Sequence, residues 1–192
     1  RIKLLAISRN HGEHFEARVH PTIVPDDHML ATIGGAFNGI LVNGDTVGDV
    51  LLYGQGAGMM PTGSAVAADV VDIGRNIIAD SLNRVPALAY LPEHFTPPKI
   101  TPMSELTCPF YLRVTVLDQP GVLSTISGIL GRYNISIKSV IQKGRGQDEP
   151  VHVVLRIHQS NEESVQKAVQ EIDALDYCTE PTVKIRVLIE DN

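Results

Sequence analysis

The residues best placed for chemistry are Asp118-Gln119-Pro120-Gly121, at the point where an alternating apolar run gives way to a helical one. A helix that begins at such a turn leaves its first backbone N–H groups without partners, and these attract carboxylates. The junction can therefore hold a small amino acid. The competing reading is a tight turn alone, in which Gly121 supplies an unusual φ or close packing.

A second candidate is the glycine loop Tyr53-Gly54-Gln55-Gly56-Ala57-Gly58, which opens a helix with Pro61 in its first turn. Such a loop can receive an anion or let a ligand approach the backbone. Its G-x-G-x-G spacing is not a dinucleotide fingerprint, and no second strand ending in an acidic ribose partner follows. The three glycines equally suit close packing of a helix rich in small residues.

His11 and His14 stand three apart with His20 and His28 nearby, but no Cys or carboxylate completes a ligand pattern, so no metal is expected. His20 reads as a structural hydrogen-bonding residue. His152 and His158 fall on a solvated or inter-domain strand face. Ser64 lacks the His and Asp partners of a nucleophile elbow, which argues against hydrolysis.

The elements that must position the Asp118 junction follow from periodicity. Leu112, Val114 and Val116 alternate with Tyr111, Arg113 and Thr115, predicting a half-buried strand. Val122, Ile126, Ile129, Leu130 and Tyr133 then recur at helical spacing. Strands are expected around Ile135–Ile141 and Val151–Ile157, joined by a turn at Gly144–Gly146. A helix follows with a capping box at Ser160-Asn161-Glu162-Glu163, and Val183, Ile185, Val187 and Ile189 form a last strand. Strand, helix, strand, strand, helix, strand folds most simply as a four-stranded antiparallel sheet with both helices on one face.

Upstream, strands are predicted at Ile2–Ser8, Glu16–Val24, Ile40–Val42 and Val47–Tyr53, with a hairpin signal at Asn43-Gly44-Asp45 and a helix through Ala65–Ile78. Residues 86–108 hold Pro86, Pro92, Pro97, Pro98 and Pro102 and read as a linker with few long-range contacts. The expected division is 1–85, a linker at 86–108, and 109–192, with an α+β fold class.

At 192 residues and 43% hydrophobic, the chain can bury one or two ordinary cores. A net charge of -6, with both signs interspersed, disfavours nucleic acid and anionic membranes. No apolar run approaches the roughly 20 residues needed to span a bilayer. Two cysteines, Cys108 and Cys178, make no disulfide framework, and a reducing, cytoplasmic setting is expected. The opening Arg1-Ile2-Lys3-Leu4-Leu5-Ala6-Ile7, strand-like from the start, suggests a piece of something longer.

D-x-P-G-x-L at Asp118–Leu123, followed by Asn134-Ile135-Ser136-Ile137, resembles the ACT domain, an amino-acid-sensing module. The resemblance implies a ferredoxin-like βαββαβ fold and an effector held at Asp118, Gln119, Pro120, Gly121, Val122 and Leu123; some such domains serve assembly only. Further upstream, Ile2–Ile7, Arg18-Val19-His20-Pro21-Thr22, Asn38, Tyr53–Gly58 and Pro61-Thr62 with Ser64-Ala65-Val66 resemble homoserine dehydrogenase, with Gly39 where that family usually has alanine.

That second resemblance implies a partial mixed α/β substrate and dimerisation domain over residues 1–85. It implies an NAD(P)-dependent parent enzyme interconverting aspartate semialdehyde and homoserine. The family's nucleotide-binding domain and catalytic lysine segment have no counterpart here, and Lys3, Lys99 and Asp69 do not take their roles. No catalytic residue is assigned, and the fragment alone is expected to be inactive with no tightly bound cofactor. Gly54, Gly56, Ala57, Gly58 and Thr62 are the implied cofactor contacts, threonine the implied effector, and a homodimer or larger homo-oligomer the expected assembly. An independent amino-acid-binding or assembly module is the other reading.

Overall fold

The structure, a computed structural model, describes residues 1–81, 91–144 and 150–188. In chain order the elements are β1 (Ile2–Asn10), β2 (His14–Ile23), β3 (Phe37–Gly44), β4 (Gly48–Gln55), α1 (Met59–Ile78), β5 (Lys99–Ile100), β6 (Thr107–Leu117), α2 (Val122–Arg132), β7 (Ile137–Gln142), β8 (Pro150–Asn161), α3 (Glu162–Asp173) and β9 (Cys178–Val187). The fold class is α+β, as the periodicity predicts.

From β6 onward the βαββαβ order holds, with strands arranged β9-β6-β8-β7 and every neighbouring pair antiparallel. The alternation read from the sequence sets the layers. Leu112 and Val114 of β6 pair with Leu155 and Val153 of β8, and their side chains enter a core closed by Ile126, Ile129 and Leu130 of α2 and Val165, Ala168 and Ile172 of α3. Each such aliphatic side chain contributes about 1.5–3 kcal/mol on burial. Helix α3 is capped by Asn161, whose Oδ1 accepts from Ser164 N at 3.2 Å. The expected capping box is thus shifted by one residue: Ser160 Oγ instead donates to His158 O, because β8 continues through Asn161.

The compact units of the fold are drawn across the expected 1–85, 86–108 and 109–192 segments. The chain separates into two compact units, 1–25 with 98–192, and 26–97. The reason is strand pairing: β1 and β2 form an antiparallel hairpin, and Thr22 and Ile23 of β2 pair in parallel with Arg186 and Val187 of β9. The four-stranded sheet therefore grows to the order β1-β2-β9-β6-β8-β7, with β5 also on β2.

The linker is also less free than its prolines imply. Lys99 and Ile100 pair with His14 and Phe15, Leu106 and Cys108 are buried, and Thr107 already opens β6. Linker residues 86–90 lie outside the described residues, as do Arg145 and Gly146 of the expected turn and Ile189 of the last strand.

In the second unit, β3 and β4 form the hairpin signalled at Asn43-Gly44-Asp45, with Gly44 opposite Gly48. Phe37 and Tyr53 stack across it at 5.0 Å. Helix α1 carries no buried residue, and Val66, Val70, Ile73 and Ile77 are all exposed. Within its own unit α1 is not buried against the β3–β4 hairpin.

Candidate functional site

The β6–α2 junction forms the rim of a cavity of about 170 Å³. Of the six residues expected there, Asp118, Gln119, Gly121, Val122 and Leu123 line it, and Pro120 does not. Gly121 adopts φ 93, the left-handed region that favours glycine, and it turns the chain into α2. No side chain caps α2; Val122 N donates to Gln119 O at 3.4 Å, and a helix start leaves the next N–H groups, those of Leu123 and Ser124, without intrahelical partners. Thr125 Oγ1 donates to Gly121 O at 3.2 Å, and its N–H does so at 3.0 Å, closing the first turn.

Sequence reasoning missed the opposite wall. Gln142, the last residue of β7, donates from Nε2 to Asp118 Oδ1 at 3.1 Å, and Val116, Leu117, Ser124 and Val153 complete the lining. Gln142 lies opposite Val153 in the β7–β8 register, a relation that no local motif announces. The loop is tied at its other end as well: Leu117 N donates to Tyr177 O at 2.9 Å, in the corner between α3 and β9.

The glycine loop is placed differently. Gly54 faces open space, whereas a Cβ on Gly56 would lie 1.7 Å from Asn38 Nδ2, so Gly56 makes room for the neighbouring Asn38 side chain. Gly58, at φ 133, precedes the helix without a side-chain cap, and Thr62 N donates back to Gly58 O. Ala57 and Thr62 are exposed.

A third cluster lies where β2 joins the ACT-like sheet. Glu162, at the start of α3, is buried and accepts from Lys184 Nζ at 2.6 Å and from Arg186 Nε at 2.7 Å. Burial alone would raise its pKa, but the hydrogen bonds and charges of Arg186 and Lys184 outweigh that and hold the carboxyl below its ordinary range. Arg18 is also buried, with Nη1 2.9 Å from Glu16 Oε2 as an ion pair rather than an aligned hydrogen bond.

His20 does the structural work expected of it: its Nδ1 lies 3.1 Å from Pro21 O and 3.0 Å from Thr22 Oγ1. Its pKa is lowered, chiefly by burial and further by Arg186 and Arg18, against the Pro21 carbonyl. Burial pushes the Cys108 thiol up to about 11, which keeps it protonated and unreactive. His28 caps a single 3-10 turn, accepting from Leu30 N, and His11 pairs with Glu16. Among the described residues no cluster of three or more His, Cys, Asp or Glu side chains could hold a metal ion.

The family comparisons agree with this geometry. Residues 1–71 match the homoserine dehydrogenase family model and residues 110–176 the ACT domain model. A homoserine dehydrogenase of Neisseria gonorrhoeae is 43% identical over 187 residues, covering 97% of this chain and 43% of that protein. Over nearly its whole length the chain is similar to the carboxyl-terminal part of a homoserine dehydrogenase. The homoserine dehydrogenase of Pseudomonas aeruginosa is 42% identical over 188 residues, again covering 97% of this chain and 43% of the relative. The crystal structure of a homoserine dehydrogenase from Thiobacillus denitrificans superposes with a TM-score of 0.86 at 42% identity, over 98% of this chain and 42% of that one. The chain thus spans less than half the length of the homoserine dehydrogenases it matches, and corresponds to their carboxyl-terminal part.

Proposed function

We propose that this chain is the regulatory and carboxyl-terminal part of a homoserine dehydrogenase whose ACT domain binds threonine at the β6–α2 junction. The observation that carries the reading is the cavity itself: a carboxylate at Asp118, an amide at Gln142 and an uncapped helix start at Val122 converge on about 170 Å³. A space of that size suits a single small amino acid rather than a dinucleotide. The uncapped amides suit the effector's carboxylate, Asp118 its ammonium group, and Gln142 a side-chain hydroxyl.

In the intact parent, a nicotinamide cofactor, NAD(P), would supply the hydride that interconverts aspartate semialdehyde and homoserine. The loop Gly54, Gly56, Ala57, Gly58 and Thr62 would approach that cofactor, a role its exposure and its uncapped helix start suit. Residues 1–85 would belong to the substrate and dimerisation domain. The apolar side chains exposed on α1, β3 and β4 support this, because one helix and one hairpin cannot bury them alone. The fragment alone is inactive in this reading, and the parent is a cytoplasmic homo-oligomer. No described helix is long and apolar enough to cross a membrane.

A stand-alone amino-acid-binding or assembly module is the alternative, favoured by the complete core of the first unit. Calorimetric titration of the chain with threonine, against methionine, isoleucine, lysine and homoserine, tests the sensor. Saturable binding of threonine alone supports it, and absence of binding to all five favours assembly. NAD(P)-dependent oxidation of homoserine by the pure chain would overturn the predicted inactivity.

A further inference from the structure

The first 25 residues are joined to the ACT sheet by very little backbone. β1 and β2 pair along their whole length, but among the described residues β2 meets β9 only at Thr22–Arg186 and Ile23–Val187, with Leu188 N donating to Ile23 O just beyond. Arg186, one of these two β9 residues, is also one of the two cations held by Glu162. The Glu162 backbone N–H donates to Leu106 O at 2.8 Å, so the segment arriving from β5 is fastened to the same residue. A single residue thus ties α3 to β9 through its buried carboxylate and to the segment before β6 through its backbone N–H, beside the strand that carries the hairpin.

The same two elements reach the effector loop. Leu117, at the cavity rim, is bonded to Tyr177 at the corner where α3 ends and β9 begins. Glu162 is the first residue of α3, and Lys184 and Arg186 lie near the end of β9. The α3–β9 pair therefore touches the effector loop at one end and β2 at the other. The chain also leaves the sheet after Pro25 and returns to it at Pro98, so both covalent connections to residues 26–97 run from β2 and β5, which pair with each other.

We propose that Glu162 is a latch that couples amino-acid occupancy of the β6–α2 cavity to the β1–β2 hairpin, through its bonds to Lys184 and Arg186. This rests on the reading of that cavity as a threonine site. A buried carboxylate with two partly buried cationic partners suits a latch because its bonds break together: removing the one buried charge leaves both cations without their counter-charge, not a gradually loosened surface contact. Glu162 acts here as a positioning residue and touches no ligand.

The test is amide hydrogen exchange of the full 192-residue chain with and without saturating threonine, alongside calorimetry on the same samples, for the native protein and Glu162→Gln. In the native protein threonine is expected to slow exchange of the β2 amides by about fivefold, at the low end of ordinary coupling between sites. Glu162→Gln should bind threonine with affinity within about twofold of native, yet show no threonine response in β2, while β6 and β8 respond in both. A β2 response that survives in Glu162→Gln overturns the latch, as does threonine binding to the native chain with no β2 response. If calorimetry shows no threonine binding at all, the effector reading fails and the coupling falls with it, an outcome separable from the other two. Should Glu162→Gln not fold, Lys184→Gln leaves the carboxylate one partner. It is expected to lose part of the β2 response, and a full response there would overturn the proposal.

Discussion

Gln142 donates to Asp118 across 3.1 Å, so the last residue of one strand holds the first residue of a loop that lies 24 positions earlier in the chain. The bond orients the Asp118 carboxylate at the cavity rim and leaves its second oxygen for an incoming ammonium group. Gln142→Ala is expected to weaken threonine binding by about 3- to 10-fold, the usual worth of one hydrogen bond. Calorimetry measures it, and an unchanged affinity would remove Gln142 from the site.

Gly121 and Gly128 should respond to alanine in opposite directions. A Cβ on either would meet nothing within 4 Å, so neither is constrained by neighbours. Gly121, however, sits at φ 93, where an L side chain costs about 1–2 kcal/mol. Gly128 is an exposed interior residue of α2, where alanine stabilises by roughly 0.5–1 kcal/mol. Urea unfolding midpoints of Gly121→Ala and Gly128→Ala check both signs. Gly121→Val, with a bulkier side chain at the cavity rim, should in addition weaken ligand binding more than it weakens folding.

His20 makes stability depend on pH near neutrality. Its folded pKa lies below the ordinary 6.5, so the unfolded chain takes up the proton first as pH falls. The contribution is complete above pH 6.5 and is lost on descent through the lower, folded pKa. Native protein should unfold at lower urea concentration at pH 5.5 than at pH 7.5. In His20→Gln that difference should shrink, and an equal difference in both proteins would acquit His20.

Glu162 acts in a more acidic window with the same sign. Its carboxyl is held below the model-compound value of 4.5, so its stabilisation is present above that pH and disappears as pH falls through the folded pKa. Acid unfolding followed by circular dichroism should therefore be less steep in Glu162→Gln below about pH 4.5 than in the native protein.

Two aliphatic truncations separate the complete core from the incomplete one. Ile126 of α2 is fully enclosed, and Ile126→Ala should cost about 2–5 kcal/mol. Val70 of α1 is 64% exposed, and Val70→Ala should stay within about 0.5 kcal/mol in this chain. A large loss for Val70→Ala would show that α1 is covered in solution, as it would be in an oligomer.

The second half of the fold was legible because its signals are local. Alternation at Leu112, Val114 and Val116, helical spacing from Val122 to Leu130 and the Asp-Gln-Pro-Gly turn each depend on a few neighbouring residues, and the structure places a strand, a helix and a turn at those positions. The capping box slipped by one residue because Ser160 and Asn161 are both good caps, and the length of β8 decides between them. Nothing in a linear reading distinguishes the hairpin at Ile2–Ile23 as a partner of β9, since its alternating pattern only asks for some strand beside it.

By itself, then, the sequence determined most of the strands and helices, the βαββαβ order and the position of the strand-to-helix junction at Asp118–Leu123, because propensity, periodicity and turn chemistry act over a few residues. Tertiary structure alone decided that Gln142 faces Asp118, that Arg186 joins Glu162 beside Thr22, and that residues 1–25 belong with 98–192. Each of these depends on strand register between distant segments, which is settled by the burial of whole faces at once and leaves no mark on any single stretch of chain.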